Sequence, residues 1–279
     1  MRVKGCAVGL LVCGLVAFTG TAAHAVGTIA ETGFNDALGI NADGTPGSPY
    51  LAGGTVVGKG ASEPLWGGTT WSWVPGKNNG TAIAQGRVIK EGDLALQMIN
   101  PEPSGSSGAI HRTFPGLSGV NYFDTWLRVD SISPGAGLGF YLIEDATDHR
   151  ASHCYVKNEG GEWNVRVRSG SGGNFDTGFN ATPGQWHRLT ERLDVTNQTY
   201  NVWFDGAMYG STLDFIGSCN TIDTSRILLS GTLEQLVISE AYVDALQFTQ
   251  KIPVNQAVPE PAGLALIGAA LLGLRRRRR

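Results

Sequence analysis

The residues best suited to chemistry form a short acidic stretch, Glu144-Asp145-Ala146-Thr147-Asp148. A glycosidase aims two carboxyl groups into one cleft, about 5 Å apart in retaining enzymes and about 6.5–9.5 Å apart in inverting ones. Carboxyls that alternate along one strand, as in Glu-x-Asp-x-Glu, would meet this requirement. The stretch lacks that spacing, so we interpret it as a solvated turn and predict no catalytic residue.

Three carboxyls of this stretch, Glu144, Asp145 and Asp148, are also the candidate metal ligands. Calcium needs only clustered oxygens, which these side chains and nearby backbone carbonyls would supply. His149 and His153 lie four residues apart and can share one face of a strand or helix, but no third ligand follows at a recognisable spacing. Calcium is therefore the one cofactor that the sequence suggests, with exposed hairpin residues as the alternative.

Four aromatic residues in a glycine-rich region are the candidate glycan contacts: Tyr50, Trp66, Trp71 and Trp73. Exposed aromatic faces stack on sugar rings and bury apolar surface there. The alternative is that these side chains belong to the core or anchor loops, because tryptophan is highly buried on average.

The first 25 residues are typical of a secretory signal peptide. Arg2 and Lys4 precede an apolar run over positions 7–18, and Ala23-His24-Ala25 supplies the small residues that signal peptidase needs. We place the cleavage between Ala25 and Val26, so the mature chain would lie outside the cytoplasm.

Two of the four cysteines, Cys6 and Cys13, lie within this signal. The other two, Cys154 and Cys219, would enter an oxidising compartment, where a disulfide between them is the default expectation. Two buried thiols are the alternative, because sequence does not fix the distance between the two Cα atoms.

The last 22 residues have three parts. Pro259-Glu260-Pro261 is followed by an uncharged, mostly apolar run over positions 262–274 and then by five arginines, Arg275, Arg276, Arg277, Arg278 and Arg279. This tail resembles the PEP-CTERM sorting signal of Gram-negative bacteria. The resemblance implies that an exosortase, a membrane-embedded transpeptidase, recognises the motif and removes the tail. It also implies delivery to the cell envelope or to an exopolysaccharide matrix.

The apolar run is the expected transmembrane helix, with the arginines on the cytoplasmic side. A helix over 262–274 extends only about 20 Å against a hydrocarbon core of about 30 Å, so the arginine side chains would snorkel to the interface. Tails of this type are sometimes also named after an ice-binding protein. Because the body lacks regularly repeated Thr-x-Thr triplets, we predict no ice binding.

The part of the chain between the two signals is acidic. Residues 26–258 hold 14 of the 21 basic and 23 of the 24 acidic residues, so their net charge is −9 although the whole chain carries −3. Such a surface repels nucleic acid and other anionic polymers unless cations intervene. We therefore predict no nucleic-acid partner, and neutral or calcium-bridged acidic glycans fit better.

The elements that must position these residues are short strands. Runs rich in β-branched and aromatic residues, bounded by Gly, Asn, Asp or Pro, predict strands at short intervals. The predicted strands include 81–90, 93–99, 109–114, 120–129, 137–143, 152–156, 162–168, 185–193, 199–204 and 227–230. This pattern predicts an all-β fold, a two-sheet antiparallel sandwich with the signal helix and the C-terminal hydrophobic helix outside its core.

One segment carries a second resemblance. Gly184-Gln185-Trp186-His187, a strand ending at Asp194 and a hairpin ending in Asp205-Gly206 resemble the concanavalin A-like, laminin-G-like jelly roll. The resemblance implies this fold for residues 26–257, between the signal peptide 1–25 and the sorting segment 258–279. Domains of this class serve in glycan binding, in adhesion and as ancillary parts of glycan-degrading enzymes.

These features together predict an exported, non-catalytic protein of the cell envelope or extracellular matrix. Signal peptidase and an exosortase would process it, and it would bind glycans, with exopolysaccharide as the candidate partner. The alternative is a secreted glycan-degrading enzyme, a glycosidase or a lyase, on the same jelly-roll fold.

Overall fold

The computed structural model of the chain describes residues 28–32, 55–57, 69–78, 80–90, 94–100, 107–170, 172–230, 238–251 and 253. These residues form strands, and none of them lies in a helix. The strands are β1 Thr28–Thr32, β2 Ser72–Asn78, β3 Thr81–Gln85, β4 Ala95–Asn100, β5 Ser107–Leu117, β6 Val120–Ser131, β7 Gly137–Glu144, β8 His149–Glu159, β9 Glu162–Ser169, β10 Gly173–Asn180, β11 Trp186–Asp194, β12 Thr199–Phe204, β13 Ala207–Met208, β14 Leu213–Asp214, β15 Ile222–Ser230 and β16 Ser239–Thr249.

The strands form two antiparallel sheets packed face to face. One sheet has the order β13-β12-β11-β6-β16-β4-β3, with β1 against β16 and β14 against β12, and the other has the order β10-β9-β8-β7-β15-β5-β2. We call them the nine-stranded and the seven-stranded sheet. Both sheets join strands that are distant in sequence, such as β6 with β11 and β16, and β15 with β5 and β7, as in a jelly roll, so the predicted fold class is confirmed.

Most predicted strands are present, with shifted ends. The strand predicted over 81–90 stops at Gln85, because the Gln85 side chain accepts hydrogen bonds from the backbone N–H groups of Arg87 and Val88 (2.8 Å each) and closes a turn. Strand β10, Gly173–Asn180, was not predicted, because its glycines, asparagines and aspartate are poor strand formers. It pairs with β9 at the edge of the seven-stranded sheet.

A chain of phenylalanine rings joins the two sheets across the core. Phe114 of the seven-stranded sheet lies 4.3 Å, between ring centroids, from Phe248 of the nine-stranded sheet. Phe248 lies 5.2 Å from Phe123, and Phe123 lies 5.9 Å from Phe140 on β7. Aromatic contacts of this kind add to the free energy of burial. They hold the two sheets in a defined relative position.

His187 locks the hairpin between β11 and β12. Its Nε2 accepts a hydrogen bond from the Thr182 N–H (2.8 Å), which leaves Nδ1 to donate to Oδ2 of Asp205 (2.7 Å). Oδ1 of Asp205 accepts from the Arg188 N–H (2.8 Å). Asp205 and Gly206 have φ values of 49° and 82°, a hairpin turn that glycine at the second position favours. These contacts explain why the Trp-His and Asp-Gly pairs occur together.

Replacing His187 with alanine should destabilise the sandwich by about 2 kcal/mol, because the buried imidazole is lost and the Thr182 N–H and the Asp205 carboxylate lose their partner. Urea unfolding of the mature chain measures this change. His149→Ala is the matched control, because His149 is exposed, and it should cost no more than about 1 kcal/mol. Equal losses in the two variants would contradict the locking role of His187.

Within the described residues, no helix is long and apolar enough to cross a membrane. The expected transmembrane helix over 262–274 and the signal peptide over 1–25 lie outside those residues.

Candidate functional site

A row of polar and aromatic side chains crosses the outer face of the seven-stranded sheet. Strand pairing sets His111 of β5 opposite Arg226 of β15, Arg226 opposite Tyr141 of β7, and Tyr141 opposite His153 of β8. On β9, Arg168 continues the row, one residue beyond Val167, which pairs with Cys154.

The burial pattern fixes this row as outward-facing. The residues that alternate with it along the same strands, among them Ile110, Phe140 and Ile227, belong to the core between the sheets. Tyr141 instead packs against a separate apolar cluster that includes Ala109 and Leu228. We call this side of the seven-stranded sheet the outer face.

Three aromatic rings stack at the centre of the outer face. The His153 ring lies between Tyr141 and Tyr155, with centroid distances of 4.0 Å and 4.6 Å. Gly139 lies beside the stack, and a Cβ at that position would be in van der Waals contact with Nε2 of His153 and with the Cβ of Tyr155 (3.4 Å each). Both tyrosines are half-buried, so each keeps part of its surface in solvent.

Four arginines surround this stack: Arg150, Arg166, Arg168 and Arg226. The Arg150 guanidinium carbon lies 4.9 Å from the centroid of the Tyr141 ring. Arg166 forms ion pairs with Glu159 and Asp176, and Arg226 forms one with the exposed Asp148 (3.2 Å). Within the described ranges, no carboxylate lies within ion-pair distance of Arg150 or Arg168. The outer face therefore carries local positive charge although residues 26–258 are acidic overall.

The positive charge of the outer face comes from its arginines and not from its histidines. Burial, together with Arg150 and Arg168, lowers the pKa of His153 to about 3, so its imidazole is neutral at physiological pH. Burial and the charge of Arg226 lower the pKa of His111 as well. Burial raises the pKa values of Tyr141 and Tyr155 despite the nearby arginines, so both phenols keep their protons.

This arrangement suits the binding of an anionic sugar polymer. Guanidinium groups donate paired hydrogen bonds to carboxylate or phosphate groups, and tyrosine faces pack on sugar rings. Hydrolysis fits less well, because it needs a carboxylic acid that can donate a proton near neutral pH. Hydrogen bonds from Lys157 and Arg166 lower the pKa of Glu159 to about 2. Glu191 has a raised pKa, but it is fully buried between the sheets, out of reach of a polymer.

The structure does not gather the candidate calcium ligands into a site. Glu144 accepts hydrogen bonds from the Thr147 hydroxyl (2.8 Å) and the Asn220 N–H (3.2 Å), whereas Asp148 pairs with Arg226. The backbone N–H of Asp145 donates to Asp223 (2.8 Å). In the part of the chain that the structure describes, no group of three or more His, Cys, Asp or Glu side chains is placed to hold a metal ion.

His149 and His153 do not share a face, contrary to the expectation from their spacing. The pairing of β7 with β8 shifts register between Leu142 and Ile143, which adds one residue to β8. The shift brings Arg150 and His153 onto the outer face together. His149 lies at the exposed end of β8, where its Nδ1 lies 2.6 Å from the Ser218 carbonyl oxygen.

Of the four predicted glycan contacts, the structure describes two. Trp71 has no exposed surface and belongs to the core, so its prediction as a sugar contact is wrong. Trp73, at the second position of β2, is half-buried and packs against the same core. Tyr50 and Trp66 lie outside the described residues.

The predicted disulfide is not formed. Cys154 and Cys219 are both free and buried, as in the alternative reading of the sequence. Cys154 faces the core from β8, beside Glu191, whereas Cys219 lies in the loop before β15, near Glu144. Burial raises the pKa of both thiols, that of Cys219 to about 11, so neither is a reactive thiolate at neutral pH.

The four arginines of the outer face were not among the site residues predicted from the sequence, although the sequence pattern of β9 indicated part of this arrangement. The alternation of β9 already sets Asn164, Arg166 and Arg168 on one face. It did not show that β8 and β7 lie beside that face, because strand neighbours are set by the tertiary fold.

Comparison with protein families finds the PEP-CTERM protein-sorting motif over residues 257–279. This confirms the predicted sorting tail and indicates a protein that is exported and sorted through an exosortase. The matched segment covers the tail alone, so it says nothing about the sandwich. No curated protein matches the chain.

Solved structures with a similar backbone include a sialidase, at 14% identity and a TM-score of 0.48. The match covers 64% of this chain and 17% of the sialidase chain. Another is the cellulose-induced protein Cip1, at 13% identity and a TM-score of 0.49, with 65% of this chain and 90% of that protein covered. A third is a Bacillus licheniformis β-glucanase, at 12% identity and a TM-score of 0.44, with 65% of this chain and 92% of the β-glucanase covered. Such low identities say nothing about activity, and the fold class stands on the strand order described above.

Proposed function

We propose that this exported protein binds an acidic polysaccharide of the cell envelope or extracellular matrix on the outer face of its seven-stranded sheet. The observation that carries the proposal is the group of four arginines around the Tyr141–His153–Tyr155 stack. Among the described residues, no carboxylate lies within ion-pair distance of two of them, Arg150 and Arg168. The positive face revises the expectation from net charge, which favoured neutral or calcium-bridged glycans.

The local charge decides this point because electrostatic forces are short-ranged in salt. At physiological ionic strength the Debye length is about 8 Å, so a ligand on the outer face responds mainly to the arginines beneath it. Acidic residues elsewhere on the sandwich then act as a solubilising surface. We propose no hydrolytic role, because Glu159, Asp176 and Asp148 are paired with arginines and Glu144 accepts a hydrogen bond from Thr147.

The direct test is retention on a panel of immobilised polymers: alginate and polygalacturonate as polyuronates, dextran sulfate, neutral laminarin and double-stranded DNA. We expect retention on the polyuronates and none on laminarin. Retention on laminarin alone, or on no glycan, would contradict the proposal. Retention on DNA alone would show that the face is an unspecific or nucleic-acid-binding surface.

One observation favours a second candidate, cleavage of a polyuronate by β-elimination. Tyr141 and His153 lie side by side next to arginines that would neutralise a uronate carboxylate. In that reaction a base removes the proton α to the carboxylate, the neighbouring C–O bond breaks, and the leaving oxygen takes up a proton. Incubation with alginate distinguishes the two candidates, because elimination creates a conjugated double bond with ultraviolet absorbance, whereas binding creates neither absorbance nor new reducing ends.

A further inference from the structure

The strand at the centre of the outer face has an unusual residue behind it. Ser152 and Cys154 of β8 point into the core on either side of His153, which points outward. Across the core, β11 of the nine-stranded sheet presents Glu191, which has no exposed surface. A carboxyl group therefore lies directly behind the floor of the proposed binding site.

Glu191 has no cation to balance its charge in the surroundings that the structure describes. Neither of its carboxylate oxygens has a hydrogen-bond partner. The Ser152 hydroxyl is near enough to favour the ionised form, but it makes no hydrogen bond of normal geometry. The titratable groups that face Glu191 are the Cys154 thiol on β8 and the Tyr200 phenol on β12, and both are neutral at physiological pH. Its partners in strand pairing, Phe123 and Val202, are apolar.

Such a carboxyl can ionise only at a high cost in free energy, because a buried, unpaired charge loses its hydration. Burial accordingly raises the pKa of Glu191 to about 7. On the outer face the arginines stay charged, the pKa of His153 is about 3, and the pKa values of Tyr141 and Tyr155 are raised. Between about pH 6 and pH 8.5 the arginines, His153 and the two tyrosines therefore keep a constant charge, whereas the group behind them titrates. His111, whose pKa is lowered, is present both in the wild type and in Glu191→Gln, so the comparison of the two isolates Glu191.

We propose that Glu191 makes the outer face sensitive to pH: when its carboxyl ionises, the packing of β11 against β8 loosens and the face loses affinity for its anionic ligand. Two physical effects act in the same direction. The charged carboxylate draws water between the sheets, which disturbs the strand that carries His153 and Tyr155. Its negative charge also lowers the positive potential of the face. The inference rests on the function proposed above.

The test compares the mature wild-type chain with Glu191→Gln at about pH 6 and about pH 8.5, at constant ionic strength, with alginate as the ligand. We expect the wild type to bind about fivefold more weakly at the higher pH, a modest coupling between two sites. Glu191→Gln should bind equally at both values. Asp214→Asn removes a carboxylate from an exposed position and should keep the wild-type pH dependence. Equal wild-type binding at both values, or an undiminished fall in Glu191→Gln, would overturn the inference.

Hydrogen exchange separates failure of this inference from failure of the proposed function. Amides of β8 and β11 in the wild type should exchange faster at the higher pH than the intrinsic pH dependence requires, and those of Glu191→Gln should not. If the exchange shows this response and alginate does not bind at either pH, the proposed function is wrong and the coupling within the fold stands. If the exchange shows no response, the coupling is wrong whatever the ligand.

The stability of the fold gives a further readout with a defined sign. A raised pKa in the folded state means that the contribution of Glu191 to stability is complete below about pH 4.5 and is lost as the pH rises to about 7. His153 acts oppositely between about pH 3 and pH 6.5, so the wild-type curve alone is not diagnostic. The advantage of Glu191→Gln over the wild type should grow from about pH 4.5 to about pH 7 and then level off.

Discussion

Replacing Arg150 and Arg168 together with glutamine should lower the affinity for alginate by about a hundredfold or more. Each guanidinium would donate charge-assisted hydrogen bonds to a uronate carboxylate, and each such contact contributes about 1.5–3 kcal/mol. A loss of 1.4 kcal/mol weakens binding about tenfold, so two lost contacts multiply to at least a hundredfold. Isothermal titration calorimetry with alginate fragments of defined length measures the change.

The matched control is the double variant Arg128→Gln, Arg192→Gln, which removes the same net charge from the other side of the sandwich. Arg128 pairs with Asp130 and Arg192 with Asp194, both on the nine-stranded sheet. We expect this variant to bind within about threefold of the wild type, because the lost charges lie more than a Debye length from the ligand. Similar losses in both double variants would show that overall charge, and not the outer face, governs binding.

Removing the Asp124 carboxylate should destabilise the sandwich more than any surface change, by about 3–5 kcal/mol in Asp124→Ala. Asp124 on β6 is buried and accepts hydrogen bonds from Nε (2.9 Å) and Nη2 (2.7 Å) of Arg188, from the Thr190 hydroxyl and from Gln247 (3.0 Å). Without it, the buried Arg188 guanidinium keeps its charge and loses its partner, which is the costly case for a buried ion pair. Urea unfolding at neutral pH measures the loss.

Asp130→Ala provides the comparison, because it breaks a shorter but half-exposed ion pair with Arg128 (2.6 Å). Exposed pairs contribute about 0–1 kcal/mol, so this variant should lose little. A second variant, Asp124→Leu with Arg188→Met, removes both buried charges and should recover most of the lost stability. If Asp124→Ala loses no more than Asp130→Ala, the buried network does not stabilise the fold as we propose.

Local sequence features predicted much of this fold. Alternation and turn residues indicated most strands, because side chains on a strand face opposite sides and one side must be buried. The pairing of Trp186-His187 with Asp205-Gly206 indicated the jelly roll, and the structure shows its physical basis in the hydrogen bonds of His187. The sorting tail was predicted from its own residues, because a sorting enzyme reads it as a linear motif.

The errors arose where the outcome depends on long-range contacts. Trp71 lies in the core, although its residue type also fits a sugar contact. Cys154 and Cys219 lie in different surroundings, and residue type alone does not show whether two cysteines come close enough to bond. His149 and His153 were expected to share one face of a strand, but a single extra residue in β8 places them on different faces. Such a register shift depends on the partner strand β7, so it cannot be predicted from the residues of β8 alone.

The sequence by itself determined the strand-rich architecture, the acidic composition and the sorting tail, because alternation, net charge and linear motifs are properties of the chain. Only the tertiary structure decided where the charge lies. Arg150 on β8, Arg168 on β9 and Arg226 on β15 lie on one face of the seven-stranded sheet, although β15 is far from β8 and β9 in sequence. The same fold placed Glu191 behind that face, since packing one sheet on another brings side chains together without regard to their order in the chain.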